Sequence, residues 1–110
     1  MNRKDTALEF VDRFCAGDIE ALEPLLAEDL QLSGPFHRFH SRSKYLQSLR
    51  DDPPRKCGYR ILSIVENGDD VCVFYDYEKD EGPMTVAQLC RFNGDQIGEI
   101  LLVFDSAKAR

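Results

Sequence analysis

Apolar positions recur at helical spacing near the start of the chain and at strand spacing over its second half. In 5–16, Ala7, Phe10, Val11 and Phe14 form one stripe, which predicts a helix. Thr6 and Glu9 stand as a capping box, and Gly17 is placed to end the helix in the left-handed conformation. Asp18 then caps a second helix through Ile19, Leu22, Leu25 and Leu26, which Pro24 must kink or distort because it has no amide hydrogen. The stretch LQLSG (30–34) reads as a short strand that Gly34-Pro35 breaks. A third helix follows, capped by Ser41 or Ser43, with Tyr45, Leu46 and Leu49 as its apolar face and the prolines of RDDPPRKCG as its stop.

The remainder reads as strands: YRILSIVE (59–66), VCVFYDYE (71–78), MTVAQLCRF (84–92) and QIGEILLVF (96–104). NGDD, Gly82-Pro83 and Asn93-Gly94 separate them as turn signals. Helices first and an antiparallel meander afterwards make the chain α+β. The strands are apolar on both sides. Val71, Val73, Tyr75 and Tyr77 share one face with Met84, Val86, Gln88, Cys90, Phe92, Ile100, Leu102 and Phe104. Cys72, Phe74, Leu89, Leu101 and Val103 lie on the other. Three helices cover only the first face, so the second calls for another partner, most simply a second copy of the chain.

A length of 110 residues sets one domain, 1–110, with a single core. The net charge of −6 disfavours nucleic acid as a partner, since phosphate recognition needs a basic face. No apolar run approaches the roughly 20 residues of a membrane span, and MNRKDTALEF lacks the apolar core of a signal peptide. The expected location is therefore cytoplasmic. Cys15, Cys57, Cys72 and Cys90 form no CxxC pair, and buried free thiols suit that compartment.

GPFHRFHS (34–41) holds both histidines of the chain. Gly34-Pro35 precludes a helix, so the segment is expected to be extended, which points His37 and His40 to opposite sides. Jointly they hold no metal, and no third ligand at metal-site spacing accompanies them. No metal and no cofactor is expected.

The order of elements, with AGDIEALEPLLAEDLQL after the first helix and the closing hairpin RFNGDQIGEI, resembles the nuclear transport factor 2-like superfamily and its small SnoaL-like and ketosteroid-isomerase-like domains. The resemblance implies a cone-shaped half-barrel, with three N-terminal helices packed on a curved, mostly antiparallel sheet. It also implies a pocket on the concave side and, in many members, a homodimer through the convex face. That face here carries Phe74, Leu89, Leu101 and Val103. The polar residues of a ketosteroid isomerase are not retained. Phe10 stands at the position of the oxyanion-hole tyrosine, Gly34 at that of the aspartate base, and Gln88 at that of the second acid. The aspartate–arginine–aspartate arrangement of related epoxide hydrolases is not visible either. Alternation puts Asp76 and Arg91 together on the convex side, as a surface or interface charge pair.

Within that frame the expected pocket lies between the first and third helices and the sheet. Its lining is Phe10, Phe14, Phe36, Tyr45, Tyr75, Gln88, Cys90, Ile100 and Phe104, with His40 at the mouth as the one candidate acid–base group. The resemblance turns Phe36 and His40 inward, and His37 and Phe39 outward. Ser63 joins the concave side if its strand stays in phase with Tyr59. Three functions fit: a domain binding a small apolar or partly polar molecule; a cofactor-free lyase, isomerase or cyclase; or a non-catalytic protein-interaction or dimerisation module. An amide among apolar residues favours a ligand site and so the first two.

Overall fold

The first apolar stripe becomes helix α1, Arg3–Cys15, in the computed structural model, which describes residues 2–109. Ala7, Phe10, Val11 and Cys15 are its buried apolar positions. Its cap is Asn2 rather than Thr6: the Asn2 side chain accepts from the Asp5 amide at 2.8 Å. The Thr6 hydroxyl donates back to the Asn2 carbonyl at 3.1 Å. Asparagine caps as well as threonine does, and the earlier start adds helical hydrogen bonds. At the other end Gly17 takes φ 75. The amides of Gly17 and Asp18 then bond back to the carbonyls of Phe14 and Arg13, each at 3.0 Å, which is the Schellman pattern.

The expected second helix is a single 3-10 stretch, Glu20–Leu25, without a side-chain cap. Pro24 explains the shortfall, because its ring and missing N–H prevent continuation as an α-helix. Leu26 is already extended, with φ −110 and ψ 142. Strand β1 therefore runs Leu26–Ser33 and begins earlier than LQLSG indicated. Helix α2, Arg42–Asp51, follows the pattern closely: the Ser41 hydroxyl oxygen accepts from the Lys44 amide at 3.1 Å, and Tyr45, Leu46 and Leu49 are buried.

Between β1 and α2 the GPFHRFHS segment is not extended throughout. The Gly34 amide donates to the His37 carbonyl at 2.9 Å, closing a tight turn. Strand β2, Arg38–Phe39, then pairs back on β1 with Leu32 opposite Phe39. The meander is β3 Gly58–Asn67, β4 Asp70–Lys79, β5 Gly82–Asn93 and β6 Gln96–Phe104. Gly68 and Gly94 each open a two-residue hairpin loop at φ 61 and 65, values that favour glycine. The sheet order is β2-β1-β6-β5-β4-β3. Among the described residues only the β1–β6 pairing is parallel. The sheet is curved and stays open, with the helices on its concave side.

Two irregularities shift side chains between faces. Between Ile61 and Ser63 the β3–β4 register slips, so Ser63 pairs with Phe74, is exposed, and leaves the concave set. Between Arg91 and Phe92 the β5–β6 register slips at Gly98, and both Ile97 and Ile100 turn inward. One extra residue on one strand reverses the alternation beyond it. The core that results joins Ala7, Val11, Leu22, Leu30, Leu46, Val73 and Ile100 across helices and sheet. The opposite face carries two cross-strand rows: Val65, Cys72, Leu89 and Leu101, and Ser63, Phe74, Ala87 and Val103. Phe74, Leu101 and Val103 are 37%, 43% and 57% exposed there. No helix among the described residues is long and apolar enough to cross a membrane.

Candidate functional site

A cleft of about 480 Å³ opens between the end of α1, the segment entering β3 and the ends of the last three strands. Phe14 contributes the last turn of α1. Cys57 comes from the segment entering β3, Tyr77 from β4, Met84 and Val86 from β5, and Leu102 and Phe104 from β6. The floor is made by sheet register: Tyr77 stands opposite Met84, and Val86 opposite Phe104. Arg55, Lys56 and the Glu78–Glu81 turn form a charged rim. Phe10 stacks on Phe14 at 6.2 Å, and Phe36 meets Phe104 edge-on at 6.0 Å.

Only Phe14 and Phe104 of the expected lining stand on this wall. Phe10, Tyr45, Tyr75, Gln88, Cys90 and Ile100 lie behind it in packed core. Gln88 is 1% exposed. Its amide oxygen accepts from the Tyr75 hydroxyl at 3.2 Å, and its nitrogen donates to the Cys90 sulfur at 3.6 Å. That amide is thus engaged by neighbours, and among the described residues no buried side-chain polar atom lacks a partner. Burial raises the hydroxyls of Tyr45 and Tyr75 well above the usual tyrosine range and pushes the Cys90 thiol up to about 12. These groups stay neutral at physiological pH and act as packing.

His40 is exposed and does not stand on the cleft wall. Its Nδ1 lies 2.8 Å from the Gln31 side-chain oxygen, and its carbonyl accepts from the Gln31 amide at 3.2 Å. Phe39 turns inward instead and packs on Tyr45 at 5.5 Å, reversing the expected phase. The cause is the pairing of β2: Phe39 stands opposite buried Leu32, and cross-strand partners share a face. Phe36 is 49% exposed and lies outside the cleft lining. Asp76 and Arg91 do not pair with each other. Asp76 accepts from Thr85 at 2.7 Å and Arg60 at 3.2 Å, while Arg91 sits between Asp70 and Glu99. Among the described residues no three His, Cys, Asp or Glu side chains converge as metal ligands.

A model of the SnoaL-like domain matches residues 7–100. The chain belongs to that family. No curated protein matches the sequence at a significant level. An NTF2-like protein of unknown function from Cytophaga hutchinsonii superposes on this SnoaL-like domain with a TM-score of 0.84, at 21% identity, over 99% of this chain and 95% of that one. A putative ketosteroid isomerase from Kribbella flavida gives 0.79 at 16% identity, over 92% of this chain and 76% of its own. An LEH-like epoxide hydrolase from M. tuberculosis gives 0.76 at 16% identity, over 94% and 82%. Likenesses this distant carry the fold alone. Of the isomerase positions, Phe10 and Gln88 are core and Gly34 sits in the β1–β2 turn of this SnoaL-like domain. Sequence reasoning left Cys57, Tyr77, Met84, Val86 and Leu102 out of the lining. The last four shared the concave register and were legible as such; Cys57, between PPRK and a glycine, gave no periodic signal.

Proposed function

We propose that this SnoaL-like domain binds a small, mostly apolar molecule in the cleft floored by Phe14, Tyr77, Met84, Val86, Leu102 and Phe104. The observation that carries this reading is an apolar floor of ligand-pocket size beneath a charged rim. The rim gives partly polar ligands an anchoring end, through Arg55 or Lys56 for an anion and Glu78 or Glu81 for a cation. The titratable groups on the floor are Cys57 and Tyr77, and the Tyr77 hydroxyl is raised above its ordinary range by burial and by its contact with Cys57. A neutral tyrosine donates a hydrogen bond to a carbonyl but removes no proton, which favours binding over isomerase or lyase chemistry.

The functional unit in this proposal is a homodimer. Its support is the pair of apolar rows that cross β3 to β6 with no helix over them. Exposed apolar surface of that continuity is uncommon on a lone domain.

Thermal unfolding of the purified chain with a panel of small apolar and amphipathic compounds tests the cleft. A saturating ligand raises stability by about 2.7 kcal/mol at a hundredfold excess over Kd. Phe104→Asp, at a half-buried floor position, removes that gain while leaving the unliganded fold intact. A gain unchanged in Phe104→Asp places the ligand elsewhere.

A further inference from the structure

Cys15 closes α1, and Cys57 stands just ahead of β3 on the cleft wall. Their backbones are joined: the Cys57 amide donates to the Cys15 carbonyl at 3.0 Å. That bond keeps the two Cα atoms below about 7 Å, within the reach of a disulfide. Burial first, and then the nearby Cys57 thiol, raise both the Cys15 thiol and the Tyr77 hydroxyl above their ordinary ranges. Access differs sharply between the pair. Cys15 is 2% exposed, whereas Cys57 is half-buried and lines the opening. The remaining cysteines have no such arrangement. Cys72 is paired in register with Leu89 and Cys90 with Val71, which sets the two thiols on opposite faces of the sheet.

We propose that Cys15 and Cys57 form a reversible intrachain disulfide, in which Cys57 meets a peroxide oxidant entering the cleft and Cys15 resolves it. In the first step the Cys57 thiolate attacks one peroxide oxygen. An S–O bond forms, the O–O bond breaks, and the departing oxygen takes a proton and leaves as water. The Cys57 sulfur becomes a sulfenic acid, oxidised by two electrons. In the second step the Cys15 sulfur attacks the Cys57 sulfur. The S–S bond forms, the S–O bond breaks, and the hydroxide leaves as a second water with the Cys15 proton. Two thiols are oxidised for each peroxide reduced, and a dithiol reductant reverses the change. Cys15 is shielded from the cleft at 2% exposure, so Cys57 meets the oxidant first. Closure ties the end of α1 to the start of β3 and draws the Cys57 sulfur off the cleft wall. The geometry stands whether or not the cleft takes an apolar ligand, so the two proposals fail separately.

The test uses the full wild-type chain, treated with hydrogen peroxide near equivalence, quenched in acid, alkylated and digested with trypsin. Cleavage after Arg13, Arg38, Lys56 and Arg60 gives peptides 14–38 and 57–60. The expected product is these two joined, with the intact chain lighter by two hydrogens, and both signals lost after dithiothreitol. Cys57→Ser loses the joined peptide. Cys15→Ser leaves a sulfenic acid on Cys57 that dimedone captures. Wild-type chain in which Cys57 advances to sulfinic acid without the link, in which the link uses Cys72 or Cys90, or in which no mass change occurs, overturns the proposal.

Discussion

Removing the Gln88 amide separates a packed polar core from a ligand-reading one. In Gln88→Leu the Tyr75 hydroxyl, now 3.2 Å from no acceptor, is left buried without a partner. A buried unpaired hydroxyl costs about 1–3 kcal/mol, which the added apolar burial of leucine offsets only in part. A net loss of about 1–2 kcal/mol is expected, or roughly 4–8 °C in Tm for a domain of this size. Tyr75→Phe strands the Gln88 oxygen instead and should cost about 1 kcal/mol. The double variant removes donor and acceptor together and so should lie within about 1 kcal/mol of wild type, well above the sum of the singles. Urea unfolding of the four proteins measures the coupling. Strict additivity would mean that the Tyr75–Gln88 bond does not hold the core and would refute this reading.

Other consequences are as direct. Phe74→Glu, placed on the exposed apolar rows, should shift the chain toward monomer or aggregate in sedimentation velocity; a monomeric wild type at tens of micromolar, an order of magnitude suited to a modest interface, would contradict the dimer. Gly94→Ala at φ 65 should lose about 1 kcal/mol in chemical unfolding, because the loop needs a left-handed residue. Alkaline stability should also fall. Burial raises the Cys15 and Cys90 thiols from 9.0 to about 12, so the unfolded chain releases those protons first. Stability is then complete below pH 9 and declines as pH rises toward 12. Melting temperatures that stay flat over that range would count against the burial of these thiols.

The sequence made the meander and its two apolar faces readable, because strand alternation is a local pattern and the glycine turns punctuate it. Helix α1 and the Ser41 cap of α2 were equally plain. The boundary at Leu26 was not, since LLAED carries helical propensity and only Pro24 and the parallel pairing with β6 override it. Phase was lost wherever a register slip intervened, at Ser63 and at Ile97, for a bulge leaves no periodic trace. The concave register was correct for Gln88, yet register says which way a side chain points and not how far the core fills. Here the interior packs solid up to Gln88, and the free volume sits nearer the strand ends. The GPFHRFHS segment was misjudged for a related reason: its turn closes a short hairpin on β1, and alternation within the segment does not reveal that pairing.

The cleft is the central claim, and resonance-assigned NMR titration reads it directly. Anilinonaphthalene sulfonate added to the isotope-labelled chain should perturb Phe14, Tyr77, Met84, Val86, Leu102 and Phe104, saturate as a single site, and leave His40 and the Gln31 amide unmoved. Shifts centred on the convex rows through Phe74 and Leu101, with the floor residues silent, would contradict the account.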